Sequence, residues 1–240
     1  MVPPYDAPGM TADALEALLA GNADHVESLP EDYFAAVQDG QDPAVVSVCC
    51  SDSRVSQEGM WAVDEPGWLF TSGNIGNQAW DRYDGERVVD GNLLYPVANA
   101  STRTVAVVGH TSCGAVTAAY RAATDGDADH APGIEKYVEA LVPVIEDGLA
   151  DPSVDETASD DEVINQLVEY NVDRQVSFLR ESDEIPDDAT VLGFVYDFQR
   201  VYADAVGRTY LINYDGETDP DALAEFAPEG YEEWVQRLTA

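Results

Sequence analysis

Residues 104–119 read T-V-A-V-V-G-H-T-S-C-G-A-V-T-A-A, and the pattern changes twice within them. Thr104 to Gly109 is a short apolar run rich in valine with no polar alternation, the signature of a parallel strand buried on both faces. From Gly114 onward the spacing becomes helical, with Ala115, Ala118, Ala119 and Ala122 at positions that share one face. Between strand and helix stand His110 and Cys113, three residues apart. A buried strand that turns through polar residues straight into a helix is the repeating unit of an α/β fold.

A second string, A-V-V-S-V-C-C-S-D-S-R over residues 44–54, has the same strand character and ends in Cys50, Asp52 and Arg54 at alternate positions. Two thiolates and an imidazole form the soft-to-borderline ligand set that suits zinc. Three protein ligands leave a fourth position for water, which distinguishes a catalytic zinc from a closed structural one. Taken singly, each of these residues has a blander reading: cysteine as a small buried hydrophobe, His110 as a hydrogen-bonded core residue, Asp52 and Arg54 as a surface pair. Their coincidence at two strand ends favours a site, because ligands in α/β sheets gather at strand C-termini beside a switch in strand order. His25 and His130 lie in acidic, polar surroundings and read as surface residues.

Further strands are expected at Trp68–Thr71 and Thr190–Tyr196, with helices over Ile134–Leu149 and Asp161–Leu179 and an antiparallel edge strand at Thr209–Tyr214. The predicted architecture is α/β, a mainly parallel central sheet flanked by helices, with an N-terminal helical arm. The arm, about residues 11–40, reads as two short helices, with Leu15, Leu18 and Leu19 on one face of the first and Glu31, Phe34 and Val37 in the second. The core spans about 41–215 and a C-terminal tail about 216–240. Residues 124–131 and 150–161 read as acidic surface loops rather than boundaries, so a single domain covers 1–240.

The 240 residues carry 47 acidic and 11 basic side chains, a formal net charge of −36, with Lys136 the only lysine. Such a chain is repelled by nucleic acid and by anionic membranes. An apolar content of 45% excludes disorder as the reason for the acidity. The acidity instead fits a cytoplasmic protein of an organism that accumulates molar salt, where the Debye length falls to roughly 3 Å and self-repulsion is screened. Three cysteines, two of them adjacent, form no disulfide framework and fit a reducing compartment. No signal segment opens the chain and no apolar run approaches the length of a membrane span.

Beside C-S-D-S-R-V and G-H-T-S-C-G-A-V, the segments G-N-A-D-H-V, G-Q-D-P, P-G-W-L-F, G-N-I-G-N, N-V-D-R-Q-V and G-F-V-Y-D follow in order between Gly21 and Asp197. In these the chain resembles a β-class carbonic anhydrase of the plant-like subgroup, here from a halophilic, archaeal source. The resemblance implies zinc bound by Cys50, His110 and Cys113, and reversible hydration of carbon dioxide to bicarbonate and a proton by zinc-bound hydroxide. It implies Asp52 and Arg54 as the dyad that orients that hydroxide, with Asp52 able to become a fourth ligand in a closed state. Gln41 matches a glutamine that hydrogen-bonds substrate, often across a subunit interface; Phe70 and Tyr95 match aromatic walls of the substrate pocket; and the Gly114 N–H matches a group that stabilises a bound oxygen. A homodimer or larger even-numbered assembly follows from the same likeness.

The chain departs from the family pattern in three places. Gly73 stands where many relatives have arginine, Ser47 where bicarbonate-inhibited members have tryptophan, and Pro96 follows Tyr95. Two other functions are compatible with the motifs: hydrolysis of carbonyl sulfide or carbon disulfide on the same fold, and non-catalytic binding of zinc or bicarbonate. Intact Asp52, Arg54 and Gln41 favour carbon dioxide chemistry over both. From charge alone, dilution below about 0.1 M salt is expected to restore repulsion and lower both activity and assembly. Activity assays and light scattering across a salt series check this, and full activity with unchanged assembly at low salt would remove the high-salt argument.

Overall fold

The valine-rich runs form strands in a computed structural model that describes residues 11–126 and 129–239. The chain divides into two compact units, residues 1–40 and residues 41–240. In the first, α1 (Thr11–Ser28) is one 18-residue helix on which Leu15, Leu18 and Leu19 are all exposed. The expected second helix over residues 31–39 is replaced by successive turns. These close through i→i+3 bonds from the N–H groups of Tyr33, Ala35 and Val37 to the carbonyls of Pro30, Asp32 and Phe34, at 3.1, 2.9 and 3.0 Å. Aspartate, aromatic and β-branched residues are weak helix formers, and Pro30 and Gly40 leave this stretch too short to nucleate.

In chain order the second unit runs β1 (Val45–Cys50), α2 (Gln57–Met60), β2 (Leu69–Asn74), β3 (Trp80–Tyr83), β4 (Glu86–Val89), α3 (Gly91–Asn99), β5 (Thr104–His110), α4 (Gly114–Asp125), α5 (Pro132–Leu149), α6 (Asp160–Glu181), β6 (Thr190–Asp197), β7 (Arg208–Tyr214) and α7 (Pro220–Phe226), with a 3-10 turn at Glu232–Trp234. The main sheet has the order β2-β1-β5-β6-β7; all neighbours are parallel except β7, which pairs antiparallel with β6 at the edge. Strands and long helices fall within a few residues of their predicted positions.

Besides α7 and the closing 3-10 turn, which fall within the predicted tail, three features were not anticipated. One is the β3–β4 hairpin, whose Asp84-Gly85 turn has φ of 50° and 88° at its two central residues, the geometry that Asp-Gly supplies in a two-residue hairpin. The second is α3, which contains Pro96 in its second turn although that residue offers no N–H to the Asn92 carbonyl, and which closes with Ala100 N–H on the Pro96 carbonyl at 3.0 Å. The third is the single turn of α2. The loop predicted over 124–131 is bracketed by α4 and α5, and Asp127 and Ala128 lie outside the described residues. The loop predicted over 150–161 ends two residues early, where Ser159 and Glu162 form a reciprocal capping box at the start of α6.

At the central strands β1 and β5 both faces of the sheet are buried, as their unbroken apolar runs require. Val46, Val48, Val105, Val107, Val191 and Val195 share one core with Leu167, Val172 and Val176 of α6. Cys49, Ala106 and Val108 point the other way, against Trp61 and Phe194. The tail is tied down rather than loose. Glu169, fully buried on α6, accepts hydrogen bonds from Tyr202 Oη (2.6 Å), Leu238 N–H (2.8 Å), Thr239 N–H (3.0 Å) and Thr239 Oγ1 (2.7 Å). Arg237 beside it is paired with Asp173 at 2.8 Å and donates to the Ile212 carbonyl.

Close approach of α6 to β6 depends on Gly193: a Cβ there would lie 2.8 Å from Asn213 Cβ and 2.9 Å from Val172 Cγ1. Valine cannot swing aside freely. Gly193→Ala is therefore expected to destabilise the fold by about 1–3 kcal/mol through overpacking, read as a lowered urea midpoint. An unshifted midpoint would show that α6 can yield at no cost.

Candidate metal centre

Parallel pairing of β1 with β5 sets Cys49 opposite Val108, so Cys50 and His110 finish adjacent strands at the same edge of the sheet. The chain leaves His110 through Thr111 and Ser112, and Cys113 is the residue that caps α4. Ser112 is held at φ 54°, and its N–H donates to Asn165 Oδ1 of α6 at 2.8 Å. This turn aims Cys113 back toward Cys50. The two sulfurs are 3.7 Å apart, and the three potential ligand atoms of Cys50, His110 and Cys113 lie within 4.8 Å of one another.

The imidazole is oriented as a metal ligand requires. His110 is fully buried, and its Nδ1 lies 3.0 Å from the Thr111 carbonyl, so Nδ1 carries the proton. Nε2 is left buried with no hydrogen-bond partner. An orphaned buried nitrogen beside two sulfurs is costly unless a cation completes it, and the donor set fits zinc. One of the sulfurs, that of Cys50, is prepared for the same role. A hydrogen bond from Cys113, helped by His110 and the Gly76 N–H at 3.5 Å, holds the Cys50 thiol down at about 5. That bond and burial push Cys113 up, while the N–H groups of Ala115 and Val116 at the start of α4 pull it back. Cys49, by contrast, faces the other side of the sheet, and burial pushes its thiol up to about 12. The two adjacent cysteines are thus assigned by strand alternation, Cys50 to the site and Cys49 to the core.

Beside the ligands, Arg54 grips Asp52 with both arms of its fork, Nε to Oδ1 at 2.8 Å and Nη2 to Oδ2 at 2.6 Å, while the Arg54 N–H donates to Oδ1 at 2.9 Å. These bonds, the guanidinium's first, hold the Asp52 carboxyl down at about 2. Asp52 Oδ2 is 3.8 Å from His110 Nε2, close to the ligands yet committed to Arg54. Arg54 Nη2 also reaches the Ser112 carbonyl at 3.4 Å, and the guanidinium lies 4.6 Å from the centroid of Phe198. The same ring is 5.9 Å from His110.

The remaining predicted residues divide. Gly114 is the first residue of α4, exposed, with open space beside its Cα. Phe70 and Tyr95 come together, their rings stacked at 6.3 Å. They do not join the ligands of their own chain: Phe70 pairs with Val46, whereas Asn74 pairs with Cys50, a separation of about 13 Å along the strand. Gln41 is exposed and precedes β1 altogether, at the end of the sheet where Ala44 N–H bonds the Trp68 carbonyl. Phe198, Asn165 and Asp197 were missed as neighbours of the site. G-F-V-Y-D stopped one residue short of Phe198, and only its continuation past the strand end could have signalled the ring.

An α/β sheet with two thiols and an imidazole at adjacent strand ends, and a paired carboxylate alongside, defines a metalloprotein of the open, catalytic type. Residues 45–201 match the family model for carbonic anhydrase. The chain is 32% identical over 152 residues to carbonic anhydrase 2 of Mycobacterium tuberculosis, covering 57% of this chain and 67% of that protein. It is 30% identical over 181 residues to a carbonic anhydrase of Pseudomonas aeruginosa, covering 72% and 77%. Among solved structures, the fold is shared with Coccomyxa β-carbonic anhydrase in complex with acetazolamide (TM-score 0.66, 23% identity, 91% and 92% covered). It is shared too with the tetrameric β-carbonic anhydrases of Sordaria macrospora (TM-score 0.64, 20% identity, 84% and 95% covered). The chain belongs to the β-carbonic anhydrase family.

Cys50→Ser and His110→Ala are each expected to abolish binding of one zinc per chain, whereas Cys49→Ser should retain it. Metal analysis after dialysis reads this directly. Loss of zinc in Cys49→Ser with retention in Cys50→Ser would reverse the assignment of the two cysteines.

Proposed function

We propose that the chain catalyses the reversible hydration of carbon dioxide to bicarbonate and a proton, with zinc held by Cys50, His110 and Cys113. The observation that carries this reading is the buried, unpartnered Nε2 of His110 beside two sulfurs and a carboxylate already committed to arginine. Zinc held by these residues would lower the pKa of water and so supply the nucleophile. The thiolates of Cys50 and Cys113 offset much of the metal's charge, which moves the working range above neutrality.

Asp52 Oδ2, 3.8 Å from His110 Nε2, is placed to accept a hydrogen bond from the attacking oxygen, holding that oxygen's proton so that a lone pair would face the carbon. Arg54 keeps Asp52 ionised and restrains it from becoming a fourth ligand, because breaking the pair leaves both charges unsatisfied. The Gly114 N–H, at the start of α4, is suited to stabilise the developing carboxylate oxygen.

Gln41, Phe70 and Tyr95 act in our reading on the site of a second copy. Their displacement toward the opposite end of the sheet from Cys50 supports this, as does the tetrameric state of the Sordaria relatives. A homodimer or larger even-numbered assembly is therefore part of the proposal. So are membership of the plant-like subgroup, on Gln41, and a cytoplasmic setting at high salt, on the charge of −36.

Stopped-flow hydration of carbon dioxide in molar salt tests the reading. Activity should vanish on chelation and return with one zinc per chain. A fully zinc-loaded protein that hydrates carbon dioxide no faster than buffer would overturn it. Gln41→Ala should keep zinc and fold while lowering turnover about 10-fold or more, the scale of a lost positioning contact. Mixed with zinc-free Cys50→Ser subunits, it should regain activity through hybrids in which one site is intact. Absence of any regain would return Gln41 to its own chain's loop.

A further inference from the structure

We propose that Phe198 is a positioning residue for this reaction: its ring forms the floor on which the Arg54 guanidinium lies while it grips Asp52. The proposal rests on the function argued above and extends it to a residue outside the predicted set. Arg54 is the exposed member of the dyad, its side chain 48% accessible against 16% for Asp52. Two side-chain hydrogen bonds to Asp52 and a longer one to the Ser112 carbonyl act in the plane of the fork. They leave rotation out of that plane opposed only by what lies against the face. The Phe198 ring is there, 4.6 Å from the guanidinium carbon, within the range of a cation–π contact.

The ring is itself held in place from below. Phe198 follows the last residue of β6, Asp197, whose buried carboxylate accepts the N–H groups of Gln199 (2.8 Å) and Tyr202 (2.9 Å). The Asp197 carbonyl takes the Gly207 N–H at 2.7 Å, and Thr111 Oγ1 donates to the carboxylate at 3.4 Å. The turn that presents Phe198 is thus stitched to the residue after His110. Tyr196 backs the ring at 6.3 Å, and the imidazole of His110 lies 5.9 Å away. One side chain therefore borders both the ligand and the dyad, and carries no titratable group of its own. An aliphatic residue would fill the space without attracting the cation; tyrosine would keep the attraction.

The test compares Phe198→Leu with Phe198→Tyr in the zinc-loaded protein. Phe198→Leu is expected to keep zinc and thermal stability close to wild type while lowering kcat by about 2- to 5-fold, the scale of a partly exposed cation–π contact, with KM little changed. Phe198→Tyr should restore kcat. An independent readout is the Nε–H resonance of Arg54 in protein labelled with 15N-arginine. Only ten arginines are present (11 basic residues less the single lysine), so the signal is assignable through Arg54→Lys. Ring current should displace it in wild type and in Phe198→Tyr, and the displacement should be lost in Phe198→Leu. An unmoved resonance, or a Leu variant with wild-type kcat, overturns the positioning role. Absence of carbon dioxide hydration in wild type would instead strike at the parent function, and the resonance would still decide whether Phe198 holds Arg54.

Discussion

Everything at the site follows from parallel hydrogen bonding between β1 and β5. Cys50 and His110 stand sixty positions apart in the chain, and only the register that sets Cys49 against Val108 finishes both strands at one edge. A slip of one residue would turn Cys50 into the core and bring Cys49 out. The register is in turn enforced by burial on both faces, since Val46 and Val48 face α6 while Cys49 faces the opposite core. Packing thus selects which sulfur meets the imidazole.

Much of this was legible because it is local. Strand ends, the helix opening at Gly114 and the C-x-D-x-R spacing are read within a few residues, and the structure brings Cys50, His110, Cys113, Asp52 and Arg54 together accordingly. What escaped was set by distant contacts. Phe198 meets Arg54 only because a buried carboxylate at Asp197 shapes the following turn. Glu169 reads in sequence as one more acidic residue on a helix, yet it is fully buried and bonded to residues seventy positions on. The residues over 31–39 carry an apolar periodicity but lack the intrinsic propensity to nucleate a helix, so periodicity alone misled. The Asp84-Gly85 turn is the exception, since its signal lies within two residues and is local to the sequence.

The scarcity of cations throws their placement into relief. Against 47 carboxylates the chain sets ten arginines and one lysine, and several of the arginines sit at joints. Arg54 fixes Asp52, Arg237 reaches Asp173 while almost wholly buried, Arg180 joins α6 to Asp215, and Arg103 reaches Asp188. Exposed pairs of this kind contribute little to stability. The buried and bidentate ones matter more for geometry, because each leaves a stranded charge if broken. In an acidic chain these few positive groups act as locators: each fixes one segment against another where a surplus of carboxylates would otherwise leave the choice open.

The clamp on Glu169 has a consequence in time. Its carboxylate lies midway along α6, the helix that packs on the sheet, but the N–H groups that satisfy it belong to Leu238 and Thr239. During synthesis α6 exists long before those residues emerge. Until they do, that face of the helix carries an incompletely bonded acid, which resists dehydration. The layer around α6 therefore cannot dry and set before residues 237–239 are made. It stays loose until they arrive, so the core around this helix is closed by a segment some seventy positions further along the chain.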